Sequence, residues 1–341
     1  MILRDSRKHV FGSGIYNLNS QIVWRRYSWD RTPFSMSVIR ELLTKAVQSR
    51  QDETCRRLVW SESDFLPGLV VDQFGKVLVI QALTFAIDMR LPAIATFIQE
   101  LTGAETVVFR NDAPVRKLEG LDTYIGVFED KELKPFDVEI GGITYKLDLL
   151  EDQKTGFYLD QREQHVLVGS YASGRSVLDA FCNQGAFALQ CSKAGAHSVV
   201  GIDSSDTAVL AASKNAEVNG LNAEFMQANV FDYFSENRES TFDLIVLDPP
   251  PFARSQSQVE GGLKGYKEIN LRALKALNKG GILATYSCSQ AISQELFKEV
   301  LASDARRSVR ILHNTYQAAD HPILLNMPES GYLRGYILQV D

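Results

Sequence analysis

From about residue 150 onward the chain alternates short apolar runs with amphipathic stretches, and this alternation limits its fold more than any other feature. The runs "SVLDAF", "SVVGID", "AEFMQAN", "FDLIVLD" and "GILATYS" are separated by helical patterns such as "SSDTAVLAASKNAEVNGL" and "YKEINLRALKALNKGG". Strands interleaved with helices build an α/β, mostly parallel, doubly wound sheet. The closing runs "VRILHNTY" and "GYLRGYILQV" have no long helix between them. They are expected to form an antiparallel hairpin at the sheet edge.

The preceding residues have a different rhythm. Residues 1 to 29 read as short strands turning at Gly12 to Gly14, too few to close a domain alone. A helical period covers Pro33 to Arg50, and Pro67 to Leu83 reads as a hairpin. A further helix runs through "RLPAIATFIQELTG", followed by the strand "ETVVFR" and a hairpin turning on Gly141-Gly142. Residues 30–148 are therefore expected to form a small α+β domain, and residues 149–341 the doubly wound domain. At 341 residues the chain has room for both.

Composition excludes several classes. The chain is 45% hydrophobic and 23% charged, as in a globular protein with ample core. No apolar run is long enough to span a bilayer, and the charged start "MILRDSRKHVFGSG" is unlike a signal peptide, so a cytoplasmic location is expected. The four cysteines, Cys55, Cys182, Cys191 and Cys288, are scattered, which points to neither a disulfide framework nor a metal site. A net charge of −6 counts against a broad nucleic-acid surface. One local stretch runs against it: "VWRRYSWDR" interleaves Arg25, Arg26 and Arg31 with Trp24, Tyr27 and Trp29, a mixture suited to phosphate contact and base stacking. On this stretch alone a solvated strand edge with packed aromatics is the favoured reading.

Ligands of open parallel sheets bind beyond the carboxyl ends of the strands. Here those ends carry Asp179 before the turn "AFCNQG", then Asp203, Asn229, Asp248-Pro249-Pro250-Pro251-Phe252, and Cys288. Asp203 follows the first turn at the spacing of an acid that holds a ribose diol, and it also suits a helix N-terminal acid. The first turn lacks the full glycine set that seats a pyrophosphate. Its single Gly185 suits a ligand with an adenosine and no phosphates, which points to S-adenosyl-L-methionine.

"VLDAFCNQGAFAL", "GIDSSDTAVLAASKNAEVNGL", "FDLIVLDPPPFA" and "YSCSQ" resemble motifs I, II, IV and VI of class I methyltransferases. With "PGLVVDQFGKVLVIQ", "RNDAPVRKLEGL" and "DLLEDQKTGFYLDQR" upstream, nearly the whole chain resembles the ribosomal RNA large subunit methyltransferase I family. The resemblance implies a PUA domain, a central α+β domain and a catalytic domain. Only the tail of the PUA domain is recognisable, in residues 1–29. It further implies formation of 5-methylcytosine in large-subunit (23S) rRNA through a covalent cysteine adduct, with RNA as partner and a homodimer left open. Cys288 would be the nucleophile, and Asp248 would hold the base. Lys154, Thr155 and Phe157 would close over the cofactor. Asp179, Phe181, Asn183, Gly185, Asp203, Ser204, Val230, Asp248 and Pro249 would line its pocket, and the Asn229 amide carbonyl would accept from the adenine amino group. Pro250, Phe252, Arg162, Arg25 and Arg26 would meet the RNA, with Phe252 stacking on a ring. The thiol needs activation by a cation or a helix N-terminus, which "SQAISQELF" supplies. Two other readings stay open: a methyltransferase of the same fold acting on a guanine nitrogen, with Cys288 structural, and a cofactor-binding RNA module without turnover.

Overall fold

The computed structural model describes residues 1–51, 53–151, 155–303 and 307–341. They form two units, one comprising Met1–Glu139, Lys146–Asp160 and Ala319–Ser330, the other Ile140–Tyr145, Gln161–Ala318 and Gly331–Asp341. Residues 1–29 thus share a unit with the α+β segment that follows them.

The first unit opens with an antiparallel sheet of β1 (Ile2–Arg4), β2 (Val10–Tyr16) and β3 (Trp24–Ser28). The expected turn at Gly12–Gly14 is not there, because β2 runs straight through it. Those glycines serve close strand approach instead: a Cβ on Gly12 would lie 2.2 Å from the Ser28 carbonyl oxygen. Helix α1 (Met36–Gln48), capped by Ser35, buries Ile39, Leu43 and Ala46. It packs with a five-stranded sheet in the order β4 (Cys55–Trp60), β5 (Leu69–Phe74), β6 (Val77–Ala82), β7 (Thr106–Asn111) and β8 (Tyr124–Val127). Only β6 and β7 are parallel, since α2 (Phe85–Asp88) and α3 (Leu91–Thr102) make the crossover between them. The short α4 (Val115–Leu118) leads into β8. Arg57 forks onto both carboxylate oxygens of Asp72 at 2.7 and 2.8 Å. Its own N–H donates to Asp320 at 2.8 Å, which ties the late segment 319–330 into this unit.

The expected hairpin of β9 (Phe136–Ile140) and β10 (Ile143–Leu147) follows. Within the second unit its turn is held by Gln190 and Lys193, which donate to the Gly141 carbonyl at 2.9 and 3.0 Å.

The second unit then runs α5 (Arg162–Gly169), β11 (Ser176–Ala180), α6 (Ala186–Lys193), β12 (Ser198–Asp203), α7 (Asp206–Asn219), β13 (Glu224–Gln227), α8 (Val230–Glu236) and β14 (Phe242–Leu247). It ends with α9 (Val259–Ala276), β15 (Leu277–Ser287), α10 (Gln294–Ala302), β16 (Val309–Tyr316) and β17 (Arg334–Val340). The strand order is β13-β12-β11-β14-β15-β17-β16. The first five strands are parallel, and β17 is antiparallel to both β15 and β16. This is a large mixed sheet of the class I methyltransferase kind, with the expected antiparallel hairpin at its edge. Along β14, Leu244 and Val246 join one buried cluster while Ile245 and Leu247 join the other. An unbroken apolar strand therefore fills two cores, one on each face. The chain winds outward from β11 to β13, then restarts on the other side of β11 with β14. That reversal opens a crevice at the carboxyl ends of β11 and β14. No helix among the described residues is long and apolar enough to cross a membrane.

Candidate active site

The turn leaving β11 holds Phe181, Asn183 and Gly185 at φ of +68°, +47° and +84°. Left-handed backbone at Phe181 and Asn183 costs roughly 1–3 kcal/mol each, so the surrounding structure must impose it. It does so through hydrogen bonds. The Cys182 N–H donates to the Ile202 carbonyl at 2.8 Å, and the Gly185 N–H to the Cys182 carbonyl at 2.8 Å. The Asn183 N–H donates to Asp203 Oδ2 at 3.0 Å, while Asp203 Oδ1 accepts the Ser205 N–H at 2.9 Å. Asp203 therefore orders the turn and begins the next helix, and each of its oxygens keeps a second lone pair for a ligand hydroxyl. Gly185 plays a packing part: a Cβ there would lie 2.9 Å from the Phe225 ring.

Asp179 is fully buried beneath this turn. Its Oδ2 accepts the Ala188 N–H at 2.9 Å, and its Oδ1 is buried with no hydrogen-bond partner among the described residues. Burial pushes this carboxyl up to about 8, the Ala188 N–H opposes the shift, and the charges of Asp248 and Asp203 add to it. Ser204 is exposed and accepts Gln227 Nε2 on its carbonyl at 3.0 Å, whereas Val230 is buried.

The role expected for Asn229 needs correction. Its Oδ1 caps α8, accepting the N–H groups of Phe231 and Asp232 at 2.9 and 3.3 Å. Both lone pairs are taken, so the side chain has only its NH₂ donor to offer a ligand.

Asp248, half-buried, leaves β14 at the crevice. Pro249 is buried and Pro250 exposed. The Pro249 carbonyl oxygen lies 3.7 Å from the Cys288 sulfur, so the Asp-Pro-Pro turn and the end of β15 meet. Phe252, expected to stack on a target ring, is half-buried and packs with Phe231 (6.2 Å) and Tyr266 (4.6 Å) at the margin of the core. Cys55, Cys182 and Cys191 are buried, and Cys288 alone of the four is partly exposed. Burial also raises the thiols of Cys182 and Cys191 far above the ordinary cysteine range, which removes them as nucleophiles at neutral pH. The helix expected after Cys288 begins only at Gln294, and Ser293 caps it.

Thr155 and Phe157 are buried in the first unit, and Lys154 falls outside the described residues. Arg162 is half-buried at the start of α5. Arg25 is committed within its own unit: it meets Glu62 at 2.7 Å and Glu119 at 3.8 Å, so it is not a free phosphate ligand. Arg26 lies over the Trp29 ring, 3.2 Å from its centroid.

Sequence spacing did not point to three residues of the second unit. Gln161 is buried, and both its amide atoms lack hydrogen-bond partners among the described residues. Ser289 and Tyr266 are buried and share a hydrogen bond of 3.0 Å.

The set fits an adenosine-bearing sulfonium ligand: a strained turn, and an acid with spare lone pairs at the ribose position.

Residues 69–327 match the family model of S-adenosylmethionine-dependent methyltransferases. A ribosomal RNA large subunit methyltransferase I from Photobacterium profundum is 38% identical over 98% of this chain and 89% of its own length. One from Aeromonas salmonicida is 40% identical over 85% and 76%. Among solved structures, a chain from Streptococcus mutans described as a SAM-dependent methyltransferase has a TM-score of 0.86 at 19% identity, covering 99% of this chain and 90% of its own. The M. jannaschii tRNA m1G37 methyltransferase has a TM-score of 0.56 at 14% identity, covering 89% and 78%. These structural likenesses show the fold alone. The relatives show more: the chain belongs to the ribosomal RNA large subunit methyltransferase I family and is an S-adenosylmethionine-dependent methyltransferase.

Proposed function

We propose that the chain methylates carbon 5 of a cytosine in large-subunit (23S) ribosomal RNA, with Cys288 as the covalent nucleophile. The observation that carries this reading is the exposure pattern of the thiols. Three of the four are buried, and the fourth, partly exposed, stands at the strand end beside the Asp-Pro-Pro turn. Carbon 5 of cytosine is not nucleophilic. A thiolate that adds to carbon 6 forms a C–S bond and moves the ring electrons to carbon 5. S-adenosylmethionine supplies an electrophilic sulfonium methyl group there. Loss of the carbon-5 proton and elimination of the thiolate then restore the ring and free Cys288.

Asp248 would hold the exocyclic amine or a protonated ring nitrogen of the cytosine. Asp203 would accept from the cofactor ribose, and Asn229 would donate to an adenine ring nitrogen. A base buried in folded RNA must be unstacked and rotated to reach Cys288. Arg162, and Arg26 on its Trp29 platform, are the candidate RNA contacts.

Mass spectrometry of 23S rRNA from cells lacking the protein tests the reading. One 5-methylcytosine should disappear, returning with the wild-type chain and not with Cys288→Ala. Loss of a methylguanine in its place would favour the nitrogen-directed alternative.

A further inference from the structure

We propose that Ser289 and Tyr266 are positioning residues that hold the Cys288 turn in register with the Asp248 turn; this rests on the reading of Cys288 as nucleophile. Ser289 follows Cys288 directly and is fully buried. Its hydroxyl oxygen accepts the Ala253 N–H at 3.2 Å, and Ala253 ends the run that begins at Asp248. The same oxygen shares the 3.0 Å hydrogen bond with the Tyr266 hydroxyl from α9. The Ser289 N–H reaches the Ser287 hydroxyl at 3.4 Å, which tightens the turn around the cysteine. From the other side, the Cys288 sulfur lies 3.7 Å from the Pro249 carbonyl oxygen.

Two turns from different strands are thus fastened on both sides of the thiol. Helix α9 completes the fastening. Its Gly262 leaves no room for a side chain, since a Cβ would lie 2.9 Å from that of Ala253. The Tyr266 ring packs on Phe252 at 4.6 Å and Phe297 at 5.3 Å. The Ser289 hydroxyl, which can both accept and donate, finds its two partners on different elements: the segment that follows Asp248 and helix α9. The placement beside both turns points to geometry. The thiol must meet carbon 6 while a second group holds the base, and a misplacement of about 1 Å costs on the order of 100-fold in rate.

Tyr266→Phe removes the hydroxyl and keeps the ring, and Ser289→Ala removes the shared oxygen. Each is compared in the full chain with wild type and Cys288→Ala, reading kcat and KM on rRNA, cofactor Kd, and the rate of adduct formation with RNA containing 5-fluorocytosine. A further readout is the pH profile of Cys288 alkylation by iodoacetamide. Tyr266→Phe should lower kcat and the adduct rate about 10-fold, and Ser289→Ala about 100-fold, with KM and Kd within about twofold and the alkylation profile displaced. If Ser289→Ala does not fold, Tyr266→Phe decides. Wild-type kcat and adduct rate in Tyr266→Phe, with Cys288→Ala inactive, overturns the positioning role and leaves the proposed function standing. Full turnover by Cys288→Ala overturns both.

Discussion

Asp179 and Asn229 show how a side chain's existing bonds decide what it can still do. In the folded chain Asp179 is raised to about 8 by burial, against about 3.9 in an unfolded chain. Between those values the folded form holds a proton that the unfolded form releases. Its contribution to stability is therefore greatest at low pH and is lost as pH rises towards about 8. In Asp179→Asn the amide oxygen can still accept the Ala188 N–H, and nothing titrates. Wild-type stability relative to this variant should fall between pH 5 and pH 8 in denaturant melts of the cofactor-free chain. Parallel curves would show that the carboxyl is ionised throughout. At Asn229 the capping oxygen predicts an asymmetry. Asn229→Ala should cost about 1 kcal/mol of stability, and Asn229→Asp, which keeps an acceptor, a few tenths. Equal losses in urea melts would mean the cap is not what holds the start of α8.

At the scale of elements, the second unit was readable because period and burial agree: continuous apolar strands separated by amphipathic helices have few other ways to bury both faces. The same logic located the strand ends, and with them Asp179, Asp203, Asp248 and Cys288. Misreadings arose where one residue type serves two purposes. Gly12 and Gly14 read as a turn but allow β2 and β3 to approach closely. Asn229 read as a ligand acceptor, although an Asn directly before an apolar helix is also a capping signal. Arg25 read as a phosphate contact, and its partners Glu62 and Glu119 lie 37 or more residues away, beyond any local pattern. Ser289 carries no local signal, because its partners Ala253 and Tyr266 come together only when β14, α9 and β15 pack. Packing also fixes Gly185. Gly185→Ala should destabilise the chain by roughly 1–3 kcal/mol, since it adds a Cβ at positive φ against the Phe225 ring. An unchanged melting temperature would show that the turn relaxes at no cost.

For the whole molecule, the two units are not consecutive lengths of chain. The β9–β10 turn belongs with the second unit, while Ala319–Ser330 lies between two strands of the second unit and belongs to the first. A fragment covering residues 149–341 would lose Gly141 and Thr144, which meet Gln190, Lys193 and Asn219. It would also separate Asp320 from Arg57. Such a fragment should unfold at lower denaturant than the full chain, followed by circular dichroism; an equal midpoint would mean that these ties add nothing. On the proposed reading, a thiol, a methyl donor and an unstacked base meet where β14 and β15 end. The most direct measurement is denaturing electrophoresis, after incubation with S-adenosylmethionine, of the full chain with large-subunit rRNA carrying 5-fluorocytosine, whose fluorine blocks release. Wild type should form an RNA–protein adduct that maps to Cys288 and is absent from Cys288→Ala, while an undiminished adduct in that variant, or methyl transfer without any adduct, would contradict the account.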